Sequence, residues 1–164
     1  SPIHQLGDLG GKKMATPTIE SFISYALQMR ALTNAEVRVE TIISGSQEGG
    51  IAQLASGKVD AAAVHNQIIQ AYAQRERFRY RAIYTSSPYY DLPIMAHPRV
   101  PRSSVEKIRS ALLSMASDPE GRKILDEANT IIKADAALAF VSTRDRDYDN
   151  YRRFYRSDNT RSHP

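Results

Sequence analysis

From Lys12 to Arg75 the apolar pattern switches repeatedly between the alternating period of a strand and the roughly 3.6-residue period of a helix. Few folds accommodate that succession. "KKMAT" (12–16) reads as a short strand after a glycine turn, and "TIESFISYALQMRAL" (18–32) as a helix. In this helix Ile19, Phe22, Ile23, Ala26, Leu27 and Met29 fall near one face, with Thr18 as the cap. "VRVETII" (37–43) alternates and is β-branched, which predicts a strand. "SQEGGIAQLAS" (46–56) predicts a helix closed by Gly57, "VDAAAV" (59–64) a strand, "NQIIQAYAQR" (66–75) a helix and "FRYRAIYTS" (78–86) a further strand. The regular alternation predicts an α/β fold with a mainly parallel sheet flanked by helices. Within it, the small residues Ala61, Ala62 and Ala63 let helices approach a strand closely, and Asp60 before them reads as structural.

The register then changes. Pro88, Pro93, Pro98 and Pro101 crowd "SPYYDLPIMAHPRVP" (87–101) and leave room only for a short strand at "IMAH" (94–97). Helical patterns follow at 103–117, 119–129 and 147–156. Ser103 and Glu106 have capping-box spacing, and Pro119 after Asp118 suits a first helical turn. The expected organisation is an α/β region over residues 1–98 and a helical segment over residues 99–164.

The 164 residues contain no cysteine, which excludes disulfides, thiolate metal sites and a cysteine nucleophile. No apolar run approaches the ~20 residues of a membrane-spanning helix. Arginines contribute much of the net charge of +4, in "RERFRYRAI" (75–83) and "RDRDYDNYRRFYR" (144–156). Arginine interleaved with aromatic rings can hold nucleic acid. Here Asp145, Asp147 and Asp149 would repel a phosphate backbone, so both stretches read as solvated faces and no nucleic-acid partner is expected. His4, His65, His97 and His163 are dispersed, without metal-ligand spacing to one another or to a carboxylate pair. Neither a nucleophile elbow nor a phosphate-binding glycine loop is present. The expectation is a protein that is not an enzyme and holds no metal or cofactor.

In open α/β sheets ligands bind outside the carboxyl ends of the strands, where helix N-termini present unpaired N–H groups to anions. Three stretches fall there: Thr16, Thr18 and Ser21; then Ser44, Ser46 and Gln47; then His65, Asn66 and Gln67. Hydroxyls and backbone donors suit an oxyanion whose oxygens each accept more than one hydrogen bond. The same residue types also simply cap helices.

In order along the chain, "SPIHQLGDLGGKKMA", "GSQEGGIAQLASGKVDAAAV", "YTSSPYYDLPIMAH", "SVEKIRSALLSMASDPEGRKIL" and "DYDNYR" resemble the latter part of a phosphate/phosphonate-type periplasmic binding protein. Such proteins are the solute-binding components of ABC transporters. The resemblance implies a type II periplasmic-binding-protein lobe, with C-terminal helices that return toward a first lobe lying outside this sequence. It implies a non-catalytic role, with a phosphonate- or phosphate-like anion as ligand and the transporter's membrane subunits as partners. Its setting would be periplasmic or the cell envelope, with the export signal outside this sequence. Self-association through the face that the first lobe would cover is a further expectation. A ligand-sensing effector domain of a regulator or receptor is the alternative use of such a lobe. Carried onto this chain, the oxyanion loop falls on Thr16, Thr18 and Ser21, followed by Ser46 and Gln47, with Gln67 and Asp91 at positions that can face an amino group. Tyr89 and Tyr90 would wall the pocket. Ile19 and Glu20 stand where small hydroxyl residues are usual, and Gln47 where histidine is frequent.

Overall fold

Three short strands, Lys13–Thr16 (β1), Glu40–Ile43 (β2) and Ala61–Ala62 (β3), form a parallel sheet in the order β2-β1-β3. The computed structural model in which they are seen describes residues 1–132 and 137–159; His163 lies outside them. β1 is central, with Met14 opposite Thr41 on one side and Ala61 on the other. Each strand leads into a helix: Leu27–Asn34 (α1), Gln47–Ala55 (α2) and Asn66–Glu76 (α3). This is the parallel α/β arrangement that the alternation predicts. A parallel neighbour is reached only through a crossover, and α1 and α2 supply the crossovers.

Residues 1–86 and Ile132 fall in one compact unit, and residues 87–131 and 137–159 in a second. The first unit is organised around β1, whose Met14, Ala15 and Thr16 are buried. Ile3, Leu9, Met14, Leu32 and Ala63 form a core cluster, against which Val37, Val39 and Ile83 pack. Ile51 of α2 is fully buried as well. α2 approaches β1 closely at Gly50, where a Cβ would stand 3.4 Å from the Ala15 Cβ and 3.1 Å from the Ser44 Oγ. Gly57, at φ +73°, ends α2: its N–H donates to the Leu54 carbonyl at 3.1 Å, and the Lys58 N–H to the Gln53 carbonyl at 2.9 Å.

Asp60 is structural. Its Oδ2 accepts from the Lys13 N–H at 3.0 Å while its own N–H donates to the Lys13 carbonyl at 2.8 Å, fixing the register in which β3 meets β1. Two sequence expectations for this unit need correction. The helix expected from Thr18 begins instead as a π-helical turn, Phe22–Ala26, capped by Ser21. Residues 78–86 form no strand. Their alternation positions side chains, with Ile83 on the core and the Arg81 guanidinium donating to the Ile3 carbonyl at 2.8 Å, but a strand also needs a hydrogen-bonded neighbour.

Asp8 closes the first turn of the chain. Its Oδ2 accepts from the His4 N–H at 2.8 Å and the Gln5 N–H at 3.1 Å, and these bonds hold its carboxyl below the ordinary value of 3.8. A depressed carboxyl stabilises the fold above its unfolded pKa, and the effect is lost as pH falls through the folded value. The stability difference between the wild type and Asp8→Ala is therefore expected to be full above about pH 4 and to shrink in more acid solution. Urea titrations of both proteins across that range measure it. A difference that does not change with pH would contradict the assignment.

The second unit contains Arg102–Ser114 (α4), Pro119–Ile132 (α5) up to its last residue, and Asp149–Asn159 (α6). α5 starts as expected, with the Gly121 N–H donating to Asp118 Oδ2 at 2.7 Å. α4 does not start on a Ser103 capping box: it begins at Arg102, with Pro101 in the cap position and no side-chain cap bond. The turn in which the Val100 N–H donates to the His97 carbonyl at 2.9 Å delivers the chain into helix two residues before that box would. Residues 94–97 form no strand. The preceding residues run alongside α6, which spends side-chain donors on their carbonyls. Tyr151 donates to Tyr90 at 2.6 Å, Tyr148 to Asp91 at 3.3 Å, and the Asn150 amide to Pro88 at 3.3 Å. Burial, with the nearby Asp91 charge second, raises the Tyr151 hydroxyl above its ordinary 10.0 and keeps it a donor. No described helix is long and apolar enough to cross a membrane.

Candidate functional site

Parallel strands send their following turns off one edge of the sheet, so the chain leaving Thr16, Ile43 and Ala62 emerges side by side. Hydrogen bonds stitch these turns together. The Thr16 carbonyl accepts from the Ser44 N–H at 2.8 Å and from the Ser44 hydroxyl at 3.1 Å. The Gly45 N–H donates to the Pro17 carbonyl at 3.2 Å, from a residue whose φ of +75° suits glycine. On the other side, Gln47 Oε1 accepts from the His65 N–H at 2.6 Å, tying the start of α2 to the start of α3.

The sequence-predicted residues divide by which way their hydrogen bonds point. Thr16 is fully buried and its hydroxyl donates to the Ser24 carbonyl at 2.6 Å, so its proton is used inside the fold. Thr18, Ser21 and Ser46 behave differently. Their oxygens accept from the N–H groups of Glu20 (3.3 Å), Ser24 (3.0 Å) and Gly49 (3.0 Å) respectively. A hydroxyl that accepts keeps its own proton to donate. Among the described residues these three protons meet no acceptor. Capping a helix and donating to an anion are thus compatible tasks for one side chain.

Gln47 commits its oxygen to His65, which orients its amide nitrogen. Gln67 is exposed at the start of α3, and its backbone N–H donates to His65 Nδ1 at 3.2 Å. The N-termini of α2 and α3 add the positive ends of two helix dipoles. Glu48, in the first turn of α2, is countered by Arg75 at 3.2 Å; Arg75 also pairs with Glu76, and both partners raise its pKa. Asp91 lies in the second unit, where its Oδ1 accepts from the Leu92 N–H at 2.8 Å. Tyr89 and Tyr90 pack on α6 there, with ring centroids 4.9 Å from Tyr151 and 5.9 Å from Tyr148 respectively.

One residue at the strand ends escapes sequence reasoning. Ser24 is fully buried, its N–H and carbonyl are bonded to Ser21 and Thr16, and its own Oγ has no partner. Nothing in "ESFISYAL" separates it from the apolar helical pattern around it, because a π turn leaves no periodic mark. Such turns concentrate at functional sites.

The family model of the phosphonate ABC transporter periplasmic substrate-binding protein matches residues 1–148. The chain belongs to that family. For this phosphonate-family binding protein, the match agrees with the resemblance carried by "GSQEGGIAQLASGKVDAAAV" and "SSPYYDLPIMAH", and the parallel sheet with flanking helices agrees with part of a periplasmic-binding lobe. The family consists of solute-binding transport proteins of the periplasm or cell envelope, which are normally not enzymes. No curated protein matches the chain.

Proposed function

We propose that this phosphonate-family protein is the non-catalytic binding component of an ABC importer and holds a phosphonate- or phosphate-like oxyanion at the carboxyl edge of its sheet. The carrying observation is the set of outward-available hydroxyl protons on Thr18, Ser21 and Ser46, each on a residue that caps its own turn. An oxyanion with several lone pairs per oxygen is the partner such a set suits. Gln47 and Gln67 would add amide donors, while Thr16 and Ser44 position the turns. On this reading residues 1–98 serve as one lobe, the helical segment 99–164 leads back to another, and the anion draws the lobes closed through contacts made only in the closed form.

A thermal-melt titration with phosphate, phosphite, methylphosphonate, aminoethylphosphonate and sulfate tests this. A ligand at 100 times its Kd stabilises the folded state by about 2.7 kcal/mol, a readily visible shift. Ser21→Ala and Ser46→Ala are each expected to weaken binding by about tenfold or more, since a hydrogen bond to a charged group contributes about 1.5–3 kcal/mol. Melts of the unliganded variants measure the lost cap separately, at about 1 kcal/mol. A full panel without any shift would overturn the oxyanion reading.

A further inference from the structure

The second unit holds a pocket of about 360 Å³ lined by Ser87, Tyr89, Asn150, Arg153 and Phe154. That lies at the lower end of the roughly 300–1,000 Å³ of small-molecule sites. Its walls are fixed aromatic rings. Phe154 is buried and meets Tyr155 edge-on at 5.3 Å, and Tyr89 meets Tyr151 edge-on at 4.9 Å. Asn150 is oriented by two bonds, its Oδ1 accepting from the Tyr151 N–H at 2.9 Å and its amide donating to Pro88 at 3.3 Å, which leaves a second amide proton. The two arginines in sequence here differ sharply. Arg152 is saturated by Asp145 at 2.5 Å and Asp149 at 2.7 Å. Arg153 is exposed on the pocket wall and has no carboxylate or carbonyl partner among the described residues.

An uncompensated guanidinium and an amide donor beside apolar ring faces specify a ligand with one planar anionic end and an apolar body. A carboxylate matches the two-pronged guanidinium edge, and its single charge matches a pocket whose lining carries one cation. The geometry points to a binding site for a small aryl or alkyl carboxylate, its oxygens on Arg153 and Asn150 and its body between Tyr89 and Phe154. This site uses none of the strand-end hydroxyls, so it stands or falls independently of the oxyanion reading.

The test is an NMR titration of the full chain with benzoate, with benzyl alcohol and methylphosphonate as comparators. Saturable shifts of the Asn150 side-chain amide and the Tyr89 ring are expected with benzoate and not with either comparator. Arg153→Gln should weaken benzoate binding by about tenfold or more. Arg153→Lys, which keeps the charge and loses the fork, should fall between, and Ser46→Ala should leave the affinity unchanged. Because Arg153 is exposed, the unfolding midpoints of its variants should match the wild type. Absence of saturable shifts, undiminished binding by Arg153→Gln, or equal shifts of the Asn150 amide and the Tyr89 ring with either comparator would overturn the site.

Discussion

Truncating Ile51 to alanine is expected to lower the unfolding free energy by about 2–5 kcal/mol, against about 0.5–1.5 kcal/mol for Ile51→Val. Ile51 has no exposed surface, and it sits on α2 one residue beyond Gly50, which already meets β1 at close range. The space vacated has little means of collapsing: α2 is held at its start by Ser46 on the Gly49 N–H and at its end by the Gly57 turn. The same helix carries Ser46 and Gln47, so a shift of α2 into the cavity would also disturb the strand-end donors. Urea unfolding of the two variants measures the difference. Equal, small losses for alanine and valine would show that the α2–β1 contact is not the tight packing described above.

Gly121→Ala is expected to destabilise the second unit by about 1–3 kcal/mol or more. In a helix, glycine to alanine ordinarily stabilises by about 0.5–1 kcal/mol, so the sign itself is diagnostic. A Cβ on Gly121 would stand 2.6 Å from both the Cα and the carbonyl oxygen of Met115. Those are backbone atoms of the turn between α4 and α5, and they cannot rotate away. Relief requires moving the turn, at the expense of the 2.7 Å bond between the Gly121 N–H and Asp118. Faster hydrogen exchange along α5 would locate the effect; a variant as stable as the wild type would show that the turn yields freely.

Much of the fold is legible because the signals are local. The strands and helices from Lys13 to Glu76 follow the switching period, and Gly57 and Asp118 mark helix boundaries by their own chemistry. What is not legible depends on neighbours. Residues 78–86 have a strand's alternation but no hydrogen-bonded strand beside them, and β3 pairs over Ala61–Ala62 rather than the longer stretch its composition allows. At the candidate site the residue types are readable and the direction of their hydrogen bonds is not. Thr16 and Ser21 look alike as hydroxyls near a strand end. Burial beneath the π turn makes Thr16 a donor to Ser24, while Ser21 becomes an acceptor with a proton to spare. Ser24 is hidden for the same reason, since only the π turn brings it beneath the strand ends.

Backbone amide shifts of the full chain, followed through a titration with methylphosphonate, test the strand-end site most directly. The expected result is a saturable change concentrated at residues 18–24, 46–49 and 65–67, which are the turns and helix starts that carry the available donors. Saturable binding with its largest changes elsewhere, or no change at these amides at a concentration that stabilises the fold, would contradict it.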